Sequence, residues 1–213
     1  MKIKKIGHCC LLISLDKLTI LTDPGNFSVG QNEITGIDII LITHEHSDHL
    51  HIDSLKEVLK NNPAAKIITN TGVGKLLESA GIAYEILDGR TDKEIAGILL
   101  ESFDGKHEEI YKEIGQVQNT GYFIDKKLFY PGDAFTNPGK PVDILALPVA
   151  GPWCKTPDAI SYALKIKPRI AFPVHDGMLQ PDKIGASHKI PSIVLQENGI
   201  EFVIINDGEE KEF

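Results

Sequence analysis

Apolar runs of strand length, bounded by turn residues, recur along the whole chain. Strands are expected at Ile3 to Ile6, Cys10 to Leu15, Thr19 to Thr22, Ile37 to Thr43, Lys66 to Thr69, Ala96 to Phe103, Thr120 to Ile124, Lys127 to Tyr130, Asp143 to Pro148, Arg169 to Val174 and Glu201 to Ile205. Helical spacing is rarer. Ser54-Leu55-Lys56-Glu57 reads as a capping box followed by apolar Leu55, Val58 and Leu59 and a stop at Asn61-Asn62-Pro63. Thr156-Pro157-Asp158 opens a second helix that ends before Pro168, and Gly72 to Ser79 forms a third.

The pattern repeats. A strand from Cys10 turns at Asp16-Lys17, a second strand reaches Asp23-Pro24-Gly25, and a loop leads to the run Ile37 to Ile42. Later, Gly121 to Ile124 turns at Asp125-Lys126, Leu128 to Tyr130 reaches Pro131-Gly132-Asp133, and a loop leads to Val142 to Leu147. Each series continues into a helix and another strand. Two similar β-rich halves packed face to face, with helices outside, give a four-layer αββα sandwich of the α/β class, because each sheet must bury its apolar faces. At 213 residues the chain fits a single domain spanning 1–213.

The most informative polar segment breaks this pattern directly after Ile39 to Thr43: His44-Glu45-His46-Ser47-Asp48-His49. Residues two apart on a helix point about 200° apart, so His44 and His46 cannot face one ion from a helix, and the segment must be a loop or turn. Imidazole and carboxylate suit zinc, manganese or iron. Four candidate ligands this close together point to two ions. His107, Asp133 and His175 stand in comparable places, each just past an apolar strand, and bring the candidate set to seven. Ligands on strand-end loops gather at one edge of an open sheet, where such folds place their sites.

Composition narrows the partners. Lys and Arg number 22 against 30 Asp and Glu, for a net charge of -8, and the mean field repels polyanions. A long nucleic acid is disfavoured without being excluded, since a local basic strip or the metals can hold phosphate. The N-terminal residues lack the apolar stretch of a secretory signal, and no run approaches the length of a membrane span. Adjacent Cys9 and Cys10 point to opposite faces of a strand, leaving Cys154 apart, so no disulfide is expected. The expected setting is cytoplasmic, with a small-molecule substrate, no membrane partner and no oligomeric state legible. The charged end, Glu209 to Glu212, reads as solvated and frayed.

The motif H-x-H-x-D-H at His44, His46, Asp48 and His49, followed in order by His107, Asp133 and His175, resembles that of the metallo-β-lactamase fold superfamily across nearly the whole chain. Gly7-His8-Cys9-Cys10, the turn Thr22-Asp23-Pro24-Gly25 and the small size are similar to its branch of short metal-dependent hydrolases related to L-ascorbate-6-phosphate lactonase. The chain is shorter than that lactonase, and His175 is followed by Asp176-Gly177 where close relatives often carry an aromatic residue. The resemblance implies that His44, His46 and His107 hold one divalent ion and Asp48, His49 and His175 a second, with Asp133 bridging. Zinc comes first as the metal, with manganese or iron as alternatives. It further implies a hydroxide shared by the ions as nucleophile, with Asp48 orienting it and moving its proton.

Three residues keep two readings each. Asp23 either hydrogen-bonds a liganding imidazole or only shapes the turn before Pro24. His8 either lies at the site mouth or is a structural histidine, and Trp153 either walls the substrate pocket or anchors the core. His51 and His188 are read as surface residues. The expected activity is hydrolysis of an ester, lactone or phosphoester of a small anionic molecule. The alternatives are a metal-dependent phosphodiesterase or nuclease, and a non-catalytic metal- or ligand-binding protein on the same fold.

Overall fold

The computed structural model describes residues 1–213, the side chain of Pro181 excepted. In chain order the elements are β1 (Lys2–Gly7), β2 (Cys10–Ser14), β3 (Thr19–Thr22), β4 (Ile39–Ile42), α1 (Ile52–Asn61), β5 (Lys66–Thr69), α2 (Thr71–Ser79), β6 (Glu85–Ile86), β7 (Asp92–Ile95), β8 (Ile98–Lys106), β9 (Gln118–Ile124), β10 (Leu128–Tyr130), β11 (Ile144–Pro148), α3 (Thr156–Ile166), β12 (Ile170–Val174), α4 (Gly185–Glu197), β13 (Glu201–Phe202) and β14 (Glu210–Glu212). One sheet has the order β14-β1-β2-β3-β4-β5-β6 and the other β13-β12-β11-β10-β9-β8-β7.

The two orders share one pairing pattern. The hairpins β2-β3 and β9-β10 are antiparallel, and β3-β4-β5-β6 and β10-β11-β12-β13 each continue in parallel. The repeat expected from the sequence is therefore present strand for strand. Alternation within the buried strands sorts their side chains into layers. Ile39 and Leu41 of β4 face the same inter-sheet core as Ile144 and Ala146 of β11. Ile40 and Ile42 turn the other way, onto Leu55, Val58, Val73 and Leu77 of α1 and α2. Leu145 and Leu147 turn onto Ala159, Tyr162, Ala163 and Leu195 of α3 and α4. Three apolar layers between four structural ones make the αββα sandwich.

Several expectations need correction. Residues 210–212 are not a frayed end: as β14 they pair with β1 through Lys2, Ile3 and Lys4, a charged edge strand. The strand expected from Ala96 starts at Ile98 as β8, because Ala96 and Gly97 both take positive φ in the turn that joins it to β7. Helix α1 starts before the capping box, at Ile52, and is capped by His51, whose side chain accepts from Ser54 N. Helix α4 is additional to the expected set, and it buries His188 in place of the surface position expected for it.

No helix among the described residues is long and apolar enough to cross a membrane. The three cysteines are free and buried.

Candidate metal centre

Strands β3, β4, β8, β10 and β12 run in one direction within their sheets, so the residues just beyond their carboxyl ends meet along one rim. Asp23 follows β3, the His44 to His49 segment follows β4, and His107, Asp133 and His175 follow β8, β10 and β12. The His44 to His49 segment is a tight turn: His46 O accepts from both His49 N and Leu50 N, at 2.9 and 2.7 Å. A second loop clasps it. Asn26 N donates to Ser47 O and His51 N to Pro24 O. Gly25 lies so close that a Cβ there would stand 1.9 Å from Asp48 O, which only glycine allows.

This brings the candidate ligands together in two groups. His44, His46 and His107 form one, and Asp48, His49, Asp133 and His175 the other; within each group the ligand atoms lie within 4.8 Å of one another. Asp133 touches both. Its Oδ2 lies 2.8 Å from His175 Nε2, 3.3 Å from His107 Nε2 and 3.9 Å from His44 Nε2, while Oδ1 lies 3.1 Å from His49 Nε2. His8, Cys9, His49 and His175 form a further overlapping group.

Hydrogen bonds fix the direction in which the imidazoles offer their lone pairs. His107 Nδ1 donates to Glu108 O and His175 Nδ1 to Ala150 O, both at 2.6 Å. His49 Nδ1 donates to Asp23 Oδ2 at 2.7 Å. Thr43 Oγ1 gives its hydrogen to Asp23 Oδ2, so it accepts from His44 Nδ1 at 3.0 Å. In all four rings the hydrogen on Nδ1 is engaged, which leaves Nε2 aimed at the centre as the nitrogen that offers its lone pair to an ion. The Nε2 atoms of His44, His49 and His175, together with Asp133 Oδ1, are buried and have no hydrogen-bond partner. Buried polar atoms are rarely left this way. Four such atoms converging on one spot fit divalent cations.

Electrostatics favours the same occupant. Burial opposes the charge on Asp133, but His49 and His175 outweigh it and hold the carboxyl well below its usual range. Burial also opposes the charge on Asp48, whose hydrogen bonds to His175 and His8 keep it ionised. Burial disfavours charge on His49 and His175 too. For His49, Asp133 and Asp23 reverse this and place its pKa well above normal; for His175, Asp133 and Asp48 lift it to about 9. His44 goes the other way, held low by burial and by His49. Two ionised carboxylates in a buried site thus demand positive charge.

The remaining residues fall into place around this set. Asp23 is fully buried, and besides His49 and Thr43 Oγ1 it accepts from Thr43 N at 2.8 Å and from the Tyr130 hydroxyl. Trp153 is buried among the residues under α3, and its Nε1 donates to Asp133 Oδ2 at 3.1 Å. Its ring meets His107 and His175 edge-on, at centroid distances of 5.6 and 5.4 Å. His8 is buried, with Nε2 3.2 Å from Asp48 Oδ2, and burial pushes its pKa down to about 4. Thr43, Tyr130 and Asn119, whose Oδ1 accepts from Asp133 N, escaped sequence reasoning. Only the position of Thr43 beside His44 signalled any of them.

Paired sheets whose carboxyl ends converge on two histidine and aspartate groups define the metallo-β-lactamase fold. The chain belongs to the β-lactamase superfamily: the family model described as "Beta-lactamase superfamily domain" matches residues 2–175. The chain is 36% identical over 190 residues to Protein Rv0786c of Mycobacterium tuberculosis, covering 87% of this chain and 88% of that one. It is 30% identical over 239 residues to a protein of Methanobrevibacter smithii named UPF0173 metal-dependent hydrolase, covering 100% and 97%. Among solved structures, the metallo-β-lactamase fold protein YhfI from Bacillus subtilis superposes with a TM-score of 0.75 at 14% identity, covering 100% of this chain and 98% of that one.

Proposed function

We propose that this chain is a metal-dependent hydrolase that holds two divalent ions and cleaves an ester, lactone or phosphoester of a small anionic molecule. The observation that carries the reading is the convergence of buried, unpartnered Nε2 and Oδ1 atoms on two adjoining ligand groups. His44, His46 and His107 would hold one ion, Asp48, His49 and His175 the other, and Asp133 would bridge them, with zinc first among the metals and manganese or iron as alternatives. Two such ions lower the pKa of a bound water and polarise the substrate oxygen.

The protein's own groups supply the rest. Asp48 is the ligand-set carboxylate that reaches solvent, its side chain 19% exposed against 2% for Asp133, and it is the group placed to pass a proton to the leaving oxygen. Asp133 is held by Trp153 Nε1 and Asn119, and His49 by Asp23, so the centre is pre-oriented. A cavity of about 380 Å³ lined by Glu108, Phe135, Trp153, Asp158, Tyr162 and Lys165 opens beside Trp153. Its aromatic wall supports a small organic substrate. The name of the Methanobrevibacter smithii relative supports the hydrolase class. Three free cysteines support a cytoplasmic setting, and a centre drawn from both sheets supports one functional domain over 1–213.

Metal analysis of the purified protein tests the reading. Two equivalents are expected in the wild type, with loss of occupancy and of turnover on an ester, lactone and phosphodiester panel in Asp48→Ala, His107→Ala and Asp133→Ala. One tightly bound equivalent or fewer in the wild type refutes the dinuclear centre. Full occupancy in Asp133→Ala refutes the bridge.

A further inference from the structure

We propose that His8 is a positioning residue: its Nε2–H donates to Asp48 Oδ2 and holds that carboxylate in place as a ligand. The assignment rests on the two-ion reading above. The polarity of the ring follows from its other nitrogen. Gly177 N lies 3.1 Å from His8 Nδ1, and a backbone N–H can only donate, so Nδ1 is the acceptor. A neutral imidazole that accepts at Nδ1 carries its hydrogen on Nε2, and Nε2 lies 3.2 Å from Asp48 Oδ2. This is the reverse of His44, His49, His107 and His175, whose Nδ1 atoms donate. His8 therefore offers the centre a hydrogen rather than a lone pair. It is no ligand, although its ring falls in the group with Cys9, His49 and His175.

The surroundings enforce that polarity. His8 has φ +53, and its carbonyl accepts from His175 N at 3.3 Å. Its ring is sandwiched between Phe27 and His175, at centroid distances of 5.0 and 4.2 Å, which leaves it 1% exposed. Position 177 must be glycine for the amide to reach Nδ1, because a Cβ there would stand 2.9 Å from His8 Cβ. The preceding residue pins that amide: both carboxylate oxygens of Asp176 accept from the buried Lys5 Nζ at 2.6 Å, and Oδ2 also lies 2.9 Å from His188 Nε2. Asp48 needs such a donor. Its other close neighbours are His175 Nε2 at 3.5 Å and His49 Nε2 at 3.8 Å, atoms that act as ligands once ions are bound. A partly exposed carboxylate without a donor turns toward water.

Zinc titration calorimetry with chelator competition, on wild type, His8→Phe and His8→Gln, tests this. Phenylalanine keeps the ring and removes the donor; glutamine presents an amide N–H near the Nε2 position. The expected result is an about 10–100-fold loss of affinity for one ion in His8→Phe, the other unchanged, with most of the loss restored in His8→Gln. Unchanged affinities in His8→Phe overturn the assignment alone, and equal losses in both variants overturn it in favour of a direct ligand. A wild type that takes up a single ion overturns the two-ion reading and the assignment with it. Independently of how the variants fold, the ¹⁵N imidazole spectrum of the zinc-loaded wild type should show His8 as the Nε2–H tautomer. The Nδ1–H tautomer overturns the proposal.

Discussion

Asparagine in place of Asp23 alters the orientation of the centre while leaving its volume unchanged. Asp23 Oδ1 accepts from Thr43 N, and Oδ2 accepts from Thr43 Oγ1, His49 Nδ1 and the Tyr130 hydroxyl. An amide that keeps its oxygen on Thr43 N points its NH2 at three donors. Two of these can adapt: the Tyr130 hydroxyl lies 3.0 Å from Cys9 O, and the Thr43 hydroxyl can rotate to accept. His49 can adapt only by moving its hydrogen from Nδ1 to Nε2, the atom 3.1 Å from Asp133 Oδ1. A protonated Nε2 does not bind metal. Flipping the amide merely transfers the clash to Thr43 N. Losing a hydrogen bond to a charged group costs about 1.5–3 kcal/mol, so urea unfolding of the metal-free Asp23→Asn protein should show a loss of about 2 kcal/mol. Loss of such a supporting partner lowers metal affinity by about 10–100-fold, and the loss should fall on the ion held through His49 while the His44, His46 and His107 group keeps its own. Calorimetric zinc titration resolves the two. Unchanged affinity for both ions would refute the tautomer argument.

Gly25→Ala should lower stability by more than about 2 kcal/mol in urea melts and displace the Asp48 loop, because its Cβ has no room beside Asp48 O; a smaller loss with intact metal binding would contradict that. Trp153→Phe keeps an aromatic ring against His107 and His175 but removes the donor to Asp133 Oδ2, and about 1–3 kcal/mol of stability should go with it in the same assay. Lys5→Met leaves the Asp176 carboxylate, 3% exposed, with His188 alone, and should cost about 3–5 kcal/mol; a change under about 1 kcal/mol would show the pair to be idle. Chelation should lower the thermal midpoint by about 20 °C, since each of two ions at 1,000 times its dissociation constant adds about 4 kcal/mol to a fold that alone can bind them.

The sequence was most legible where burial and periodicity agree. β4 and β11 are buried on both faces and read as continuous apolar runs, and their strand-end residues could be found by counting forward from them. The unread elements lack that signal. β14 consists of Glu210, Lys211 and Glu212, and its pairing with β1 rests on backbone hydrogen bonds that leave no apolar trace. Helix α4 buries His188, Pro191 and Leu195, a helical spacing whose signal is lost because two of the three are not aliphatic while Ile190 and Ile193 lie exposed off that stripe. In the site, the candidate ligands were legible because their residue types are rare and their positions regular. The orienting groups were not: Tyr130 and Asn119 look like ordinary strand residues, and their contacts with Asp23 and Asp133 bridge long gaps in sequence.

The repeat makes the division of labour between the halves visible. The end of β3 and the end of β10 each carry an aspartate, yet Asp23 is consumed by protein donors while Asp133 keeps Oδ1 unpartnered in the centre. The end of β4 carries the histidine turn, whereas the end of β11 carries Gly151 and Trp153, which supplies one N–H to Asp133. The end of β12 carries His175, whereas the end of β5 carries Asn70, which caps α2 and donates to Thr43 O, the carbonyl just before His44. In each of these pairs one strand end presents a candidate ligand while its counterpart supports a neighbouring strand end in its own half. Both ligand groups draw on both sheets: His107 completes the first, and Asp133 and His175 the second. Neither half alone can assemble either group, so the interface between the sheets and the metal centre must form together. A substitution confined to the inter-sheet core, such as Tyr122→Ala, should then lower metal affinity as well as stability, even though Tyr122 touches no candidate ligand through its hydroxyl, which donates to Ile42 O.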